Sequence, residues 1–157
     1  MRSPITAGIV AGLIAGVPFG IMMQIMPAPT PEGGQIPMMQ MVAMVVHSTN
    51  IIVGWVYHLF NSAVTGALFG WLLGDRVKSY GSGFAWGALY GVIWWVLGGL
   101  VLMPLLLGMP AFAPLTMAAM HPVAIGSLVG HLMFGMMLAV VFFLLRRRAM
   151  GTPLPVA

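Results

Sequence analysis

The chain has 157 residues, of which 61% are hydrophobic and only 5% charged, with a mean hydropathy of +1.04. A soluble domain of this size carries roughly a quarter charged residues, so the composition excludes a protein that covers its own surface in water and predicts an integral membrane protein. Cysteine is absent, which excludes disulfides, thiolate metal centres, iron–sulfur clusters and cysteine nucleophiles; the net charge of +4 sits at the ends of apolar runs and predicts no nucleic-acid partner.

A membrane-crossing helix needs about 20 mainly apolar residues, and four stretches meet that requirement. The first, Ile5 to Met26, follows Arg2 like a secretory leader. Its apolar run is too long for one and no small-x-small cleavage site follows, so it is expected to stay as a helix. It carries Gly8, Gly12, Gly16 and Gly20 at i, i+4 spacing. The connection Pro27 to Thr49 is not a plain loop. Ile36 to His47 is apolar, begins beside Pro37, contains Met41 and Met44, and ends in His47. A short helix in or near the outer interface is expected there. Ser48-Thr49-Asn50 then breaks the chain before the second span, Asn50 to Leu73, which carries Gly54, His58, Ser62, Gly66, Gly70 and Gly74.

A short basic connection with Arg76 and Lys78 leads to the third span, Gly83 to Leu107, with Gly83, Gly87 and Gly91. The connection Gly108 to Pro122 mirrors the first outer one. Pro114 to His121 is short, apolar, contains Met117 and Met120, and ends in His121, so a second short outer helix is expected, with His121-Pro122 as the break before the fourth span. The fourth span, Val123 to Leu145, carries Ser127, His131, Gly135 and Ala139 and runs into Arg146, Arg147 and Arg148.

The order of features reads as one hairpin written twice: repeat 1 over about 5–75 and repeat 2 over about 82–148, within a single transmembrane domain covering 1–157. An even number of helices per unit makes the copies parallel, related by a pseudo-twofold axis along the membrane normal. The fold class expected is an all-α membrane protein of four transmembrane helices with a short outer helix in each half. All six Lys and Arg fall at the N-terminus, the middle connection or the C-terminus. The positive-inside rule then puts both termini in the cytoplasm, of a bacterial inner membrane.

Lipid tails are as apolar as Leu, so helices in bilayers associate by close backbone approach along small residues. Gly8, Gly12, Gly16, Gly20, Gly66, Gly70, Gly83, Gly87, Gly91 and Gly135 are the expected packing positions. His58 and His131 lie on these stripes, which places them inside the bundle, and an intramembrane ionisable residue is a functional-site hypothesis by default. If the second and fourth spans line the axis, the two imidazoles meet across it, with His47 and His121 as a second pair nearer the outer surface.

Four readings compete for the histidines. Each locks helices by hydrogen bonds to backbone carbonyls or to Asn61, Ser62 or Ser127. Alternatively each ligates a haem or chlorin, with the small residue one turn earlier (Gly54, Ser127) leaving room for a macrocycle. The Gly/Ser-x-x-x-His spacing resembles the small-x-x-x-His pattern of bacteriochlorophyll-binding helices in light-harvesting proteins. A third reading joins His47 and His121 to Met41, Met44, Met117 and Met120 as a soft-metal site for Cu(I), against the plainer use of Met as a packing residue. Proton conduction is the fourth, disfavoured because Glu32 and Asp75, the only carboxylates, fall outside the spans.

There is no acid pair, no Ser-His-Asp set and no phosphate loop, so no enzyme is expected. Trp86-Gly87-Ala88-Leu89-Tyr90-Gly91-Val92-Ile93-Trp94-Trp95 and Gly130-His131-Leu132 with Gly135 resemble small uncharacterised bacterial four-helix membrane proteins. That resemblance implies the topology and no activity. The function expected is a non-catalytic accessory subunit packing through glycine-rich helices, its partners the lipid bilayer and other membrane subunits or copies of itself. The alternatives are a Met/His Cu(I) protein and a His-ligated haem or chlorophyll carrier. No cofactor is the leading expectation.

Overall fold

The computed structural model describes residues 3–30 and 33–149; Arg2, Glu32 and the side chain of Arg148, noted above for their charge, lie outside the described residues. Four helices are long and apolar enough to cross a membrane: Pro4–Ile25, Ile51–Leu73, Tyr80–Leu106 and Ala118–Arg147. They fall within a few residues of the four expected spans.

The helix starts follow from local chemistry. Helix α1 (Pro4–Ile25) opens with Pro4 in its first turn and Ser3 accepting from the Thr6 N–H. The side chain of Asn50 caps α3 (Ile51–Leu73) by accepting from the Ile52 N–H at 2.9 Å. Ser79 and Ser82 cap each other reciprocally at the start of the third span.

Between α1 and α3 the chain forms two three-residue antiparallel strands, β1 (Pro27–Pro29) and β2 (Gln35–Pro37), before the short helix α2 (Met38–Met44). The helix expected over Ile36 to His47 is therefore shorter, and the turn that follows it places His47 in the left-handed region at φ 57°. The strands carry no alternating pattern and three of their six residues are proline, so periodicity did not announce them. In the second connection, Ala113–Thr116 forms one helical turn and Ala118–Met120 a 3-10 turn, rather than a single short helix. His121 and Pro122 do not break the chain. They form the first turn of the last helix, His121–Ala149, where a proline's missing N–H would have had no partner anyway.

The third span is not a uniform α-helix. It runs as α4 (Tyr80–Trp94), widens into a π-helix over Trp95–Leu102 and closes with α5 (Met103–Leu106). The one-turn helix Ala113–Thr116 becomes α6 and the last helix α7. Pro104 explains the widening: its ring crowds the carbonyl one turn back and it has no N–H to give. The Leu100 carbonyl accepts instead from the Phe112 N–H at 2.6 Å, and the Met103 N–H reaches back five residues to Gly98.

Helix α1 packs along α3 and α7, and α4 packs along α7. At Gly8 a side chain would strike the Gly66 carbonyl, at Gly12 the Ser62 carbonyl, and at Gly66 the Gly8 carbonyl. The second hairpin is built the same way: Gly87 faces the Gly135 carbonyl and Gly91 the His131 carbonyl. These are backbone-to-backbone contacts, which only glycine permits. Large apolar side chains point outward, among them Val56, Phe60, Ile125 and Val129, all more than half exposed. Arg76 lies over the Trp86 ring at 5.7 Å and Arg147 over Phe143 at 5.9 Å. This marks a basic end of the bundle, with α2 and α6 at the opposite, capped end.

Gly66→Val should therefore destabilise the fold by about 3 kcal/mol or more, the upper range for overpacking, because the obstruction is a carbonyl that cannot move aside. Gly98→Ala should be near neutral, since the nearest atom to the new methyl is 4.0 Å away. Denaturation of the two variants in one detergent checks the contrast.

Candidate functional site

The two hairpins meet unevenly. Helices α1 and α7 pack along their length, whereas no extended packing joins α3 to the third span among the described residues. Near the basic end that seam is pinned: the Tyr90 hydroxyl donates to the Thr65 carbonyl at 2.6 Å, and Phe69 meets Tyr90 edge-on at 5.1 Å. Toward the capped end it opens into a cavity of about 250 Å³. Tyr57, Asn61 and Thr65 of α3 line one wall and Trp94, Gly98 and Met103 of the third span the other. Val64, Leu102 and Leu106 line it and are also 42–54% exposed, so its mouth lies on the outward apolar face.

Both candidate histidines reach this cavity. His58 is buried, and its Nε2 donates to the Gly16 carbonyl of α1 at 2.8 Å. That bond crosses between helices. His131 is half-buried, and its Nδ1 donates to the Ser127 carbonyl of its own helix at 2.7 Å. The locking expected of both histidines is thus made by His58 alone. Nor do the imidazoles meet directly. The Phe19 ring of α1 stands between them, edge-on to His58 at 5.4 Å and to His131 at 4.9 Å. Helix α1 packs along both of these spans, and no extended packing joins α3 to α7 directly among the described residues.

A carbonyl oxygen only accepts, so the nitrogen facing it must carry the hydrogen. In a neutral ring the other nitrogen then carries the lone pair: Nδ1 of His58 and Nε2 of His131. Neither has a hydrogen bond among the described residues, and no buried side-chain nitrogen or oxygen lacks a partner. These two nitrogens are therefore not sealed off, and both rings line the cavity. The remaining interior polar groups are committed. Ser62 donates to the His58 carbonyl, Ser127 donates to the Ala124 carbonyl, and Trp95 Nε1 donates to Ser127 Oγ at 3.1 Å.

The room expected one turn before each histidine is taken. A side chain at Gly54 would strike the Met39 carbonyl of α2, and Trp95 covers Ser127. A haem or chlorin therefore does not fit flat against either helix at those positions. The Met-x-x-Met pairs split: Met41 and Met120 are buried, while Met44 and Met117 are 41% and 46% exposed. His47 is exposed, as is His121, whose Nε2 donates to the Leu115 carbonyl at 3.0 Å. No group of three or more His, Asp or Glu side chains converges among the described residues.

Of the packing glycines, Gly8, Gly12, Gly66, Gly70, Gly87, Gly91 and Gly135 meet backbone across a helix pair. Gly16 accommodates the Ser62 side chain, Gly20 lies under the Trp55 ring, and Gly83 has only ordinary contacts. Sequence reasoning missed Phe19 as the divider and Gly98 and Gly99 as part of the cavity wall. Pro104 was the available signal, since a proline inside an apolar span frees a carbonyl and distorts the turn before it. Comparisons with protein-family models, curated proteins and solved structures find no match to the chain, so function must be argued from its own residues.

Because His58 links two spans and His131 bonds within its own, His58→Leu should lower stability by roughly 1 kcal/mol, within the range for such bonds in bilayers, and His131→Leu by clearly less. Nitrogen-15 NMR of labelled histidine should also find the two rings in opposite tautomers, Nε2–H for His58 and Nδ1–H for His131. The same tautomer in both would contradict the geometry.

Proposed function

We propose that the protein is a small, non-catalytic integral membrane protein that serves as an accessory subunit of a larger membrane complex. It sits in a bacterial inner membrane with both termini in the cytoplasm. One observation carries the non-catalytic part. Every buried polar side chain (His58, Ser62 and Ser127) is tied to backbone, and Asp75, the described carboxylate, is exposed at the basic end. General acid–base chemistry needs a positioned proton donor and acceptor pair, and the interior offers imidazoles with no acid beside them.

The duplication of a hairpin is supported by the matched way in which the halves are assembled, glycine against backbone in each, with one histidine apiece. The packing glycines are filled within the chain itself. Partners would therefore meet the outward apolar faces, such as Val56 with Phe60 on α3 and Ile125 with Val129 on α7, rather than the glycine stripes. Orientation follows from Arg76 and Lys78 standing on the same side as Arg146 and Arg147.

The natural chain has no cysteine, so single-cysteine variants report cleanly. On intact cells an impermeant maleimide should label Ala118→Cys and leave Lys78→Cys unlabelled; the reverse pattern would overturn the orientation. Native mass spectrometry of chain extracted from its own membranes should find it in assemblies heavier than the 16.7 kDa of one copy. A bare monomer at every detergent concentration would overturn the subunit reading.

A further inference from the structure

We propose that the cavity between α3 and the third span is a binding site for the hydroxyl-bearing end of an apolar, membrane-soluble molecule, an alcohol or a phenol. The ligand reaches it sideways from the bilayer. This goes beyond the accessory-subunit reading and shares with it only the membrane placement, which the labelling experiment tests separately.

Three features fix the class of ligand. Size comes first. A dry cavity of roughly 150 Å³ admits benzene, so one of about 250 Å³ takes a ring or a short branched chain. Access comes second. The cavity opens where Val64, Leu102 and Leu106 are both lining and exposed, an apolar mouth that water-soluble molecules would not enter.

Hydrogen-bond polarity comes third and is the most selective. The backbone carbonyls of Gly16 and Ser127 engage the two imidazole hydrogens. Each histidine therefore keeps its lone pair on the other ring nitrogen, on a ring that lines the cavity. A ketone, an ester or an ether brings only lone pairs of its own and gains nothing from either ring. Asn61, one turn along α3 from His58 and on the same wall, carries a side-chain amide that both donates and accepts. A hydroxyl fits both, donating to an imidazole nitrogen while accepting from the Asn61 amide.

The wall opposite is built to yield room. Gly98 and Gly99 fall in the π-helical turn, and a methyl at Gly98 would touch nothing closer than 4.0 Å. The missing side chain at Gly98 leaves space where a larger residue would close the seam. A wide turn of this kind is rare and recurs at functional sites.

The test uses the full chain in nanodiscs, with nitrogen-15-labelled histidine observed by NMR. The probes are 4-octylphenol, its methyl ether 4-octylanisole and the ketone 4-octylacetophenone. Octylphenol should shift the unprotonated nitrogen of His131 or His58 saturably, while the ether and the ketone require at least tenfold higher concentration. Gly98→Phe, which fills the cavity, should abolish the response; if that variant does not fold, His131→Leu with Asn61→Leu should weaken phenol binding at least tenfold. Equal responses to phenol and ether, a response that never saturates, or a shift that survives these variants would overturn the proposal.

Discussion

Contact between helix backbones at glycine is the constraint on which the rest of this structure depends. In a bilayer the apolar side chains of one helix gain little by leaving lipid for another helix. What association gains is close packing, and that needs residues with nothing in the way. Gly8 and Gly12 against Ser62 and Gly66, and Gly87 and Gly91 against His131 and Gly135, provide it. Each pairing brings carbonyls to positions that any side chain would occupy. The hairpins are therefore held by the absence of side chains along two stripes.

The same constraint explains where packing stops. The faces that α3 and the third span turn toward each other carry Tyr57, Asn61, Val64 and Thr65 on one side and Trp94, Leu102 and Met103 on the other. The glycines on the second face, Gly98 and Gly99, sit in a turn already widened by Pro104 and so do not form a straight stripe. Tyr90 and Phe69 close one end of this seam, and the other end stays open. Both histidines border that space because they share the stripes that hold each hairpin together. One tautomer is fixed by a neighbouring helix and the other by its own, and both leave an accepting nitrogen on a ring that lines the cavity.

Much of the fold was legible in the sequence because long apolar runs and i, i+4 glycines are strong periodic signals. The four spans, the break at Asn50 before the second of them, the interior setting of His58 and the basic end could all be read directly. Local and long-range features were not. The strands Pro27–Pro29 and Gln35–Pro37 form by pairing with each other, without any alternation to mark them. His121 and Pro122 looked like a break because a proline ends a helix from inside but starts one from its first turn. For the site, the histidines were visible and their geometry was not. Phe19 occupies the space between them only because α1 lies between α3 and α7, and whether a histidine locks two helices or bonds within one depends on which carbonyl lies nearest. Spacing does not encode that. The Met-x-x-Met pairs show the same limit: three residues apart on short, irregular caps, one sulfur is buried and the other exposed.

The central claim is that one long seam of the bundle is closed and its counterpart is open, and paired cysteines measure it directly. In the cysteine-free chain, Met26→Cys with Gly126→Cys spans the seam between the end of α1 and α7, where the tip of the Met26 side chain reaches the place of a Cβ at Gly126. Tyr57→Cys with Leu102→Cys spans the cavity from its two walls. A disulfide needs Cβ atoms within about 4.5 Å. Under mild oxidation in native membranes the first pair should cross-link within the chain and the second should stay reduced. Cross-linking of the second pair to the same extent as the first would mean that the seam closes in the bilayer, and would contradict the account.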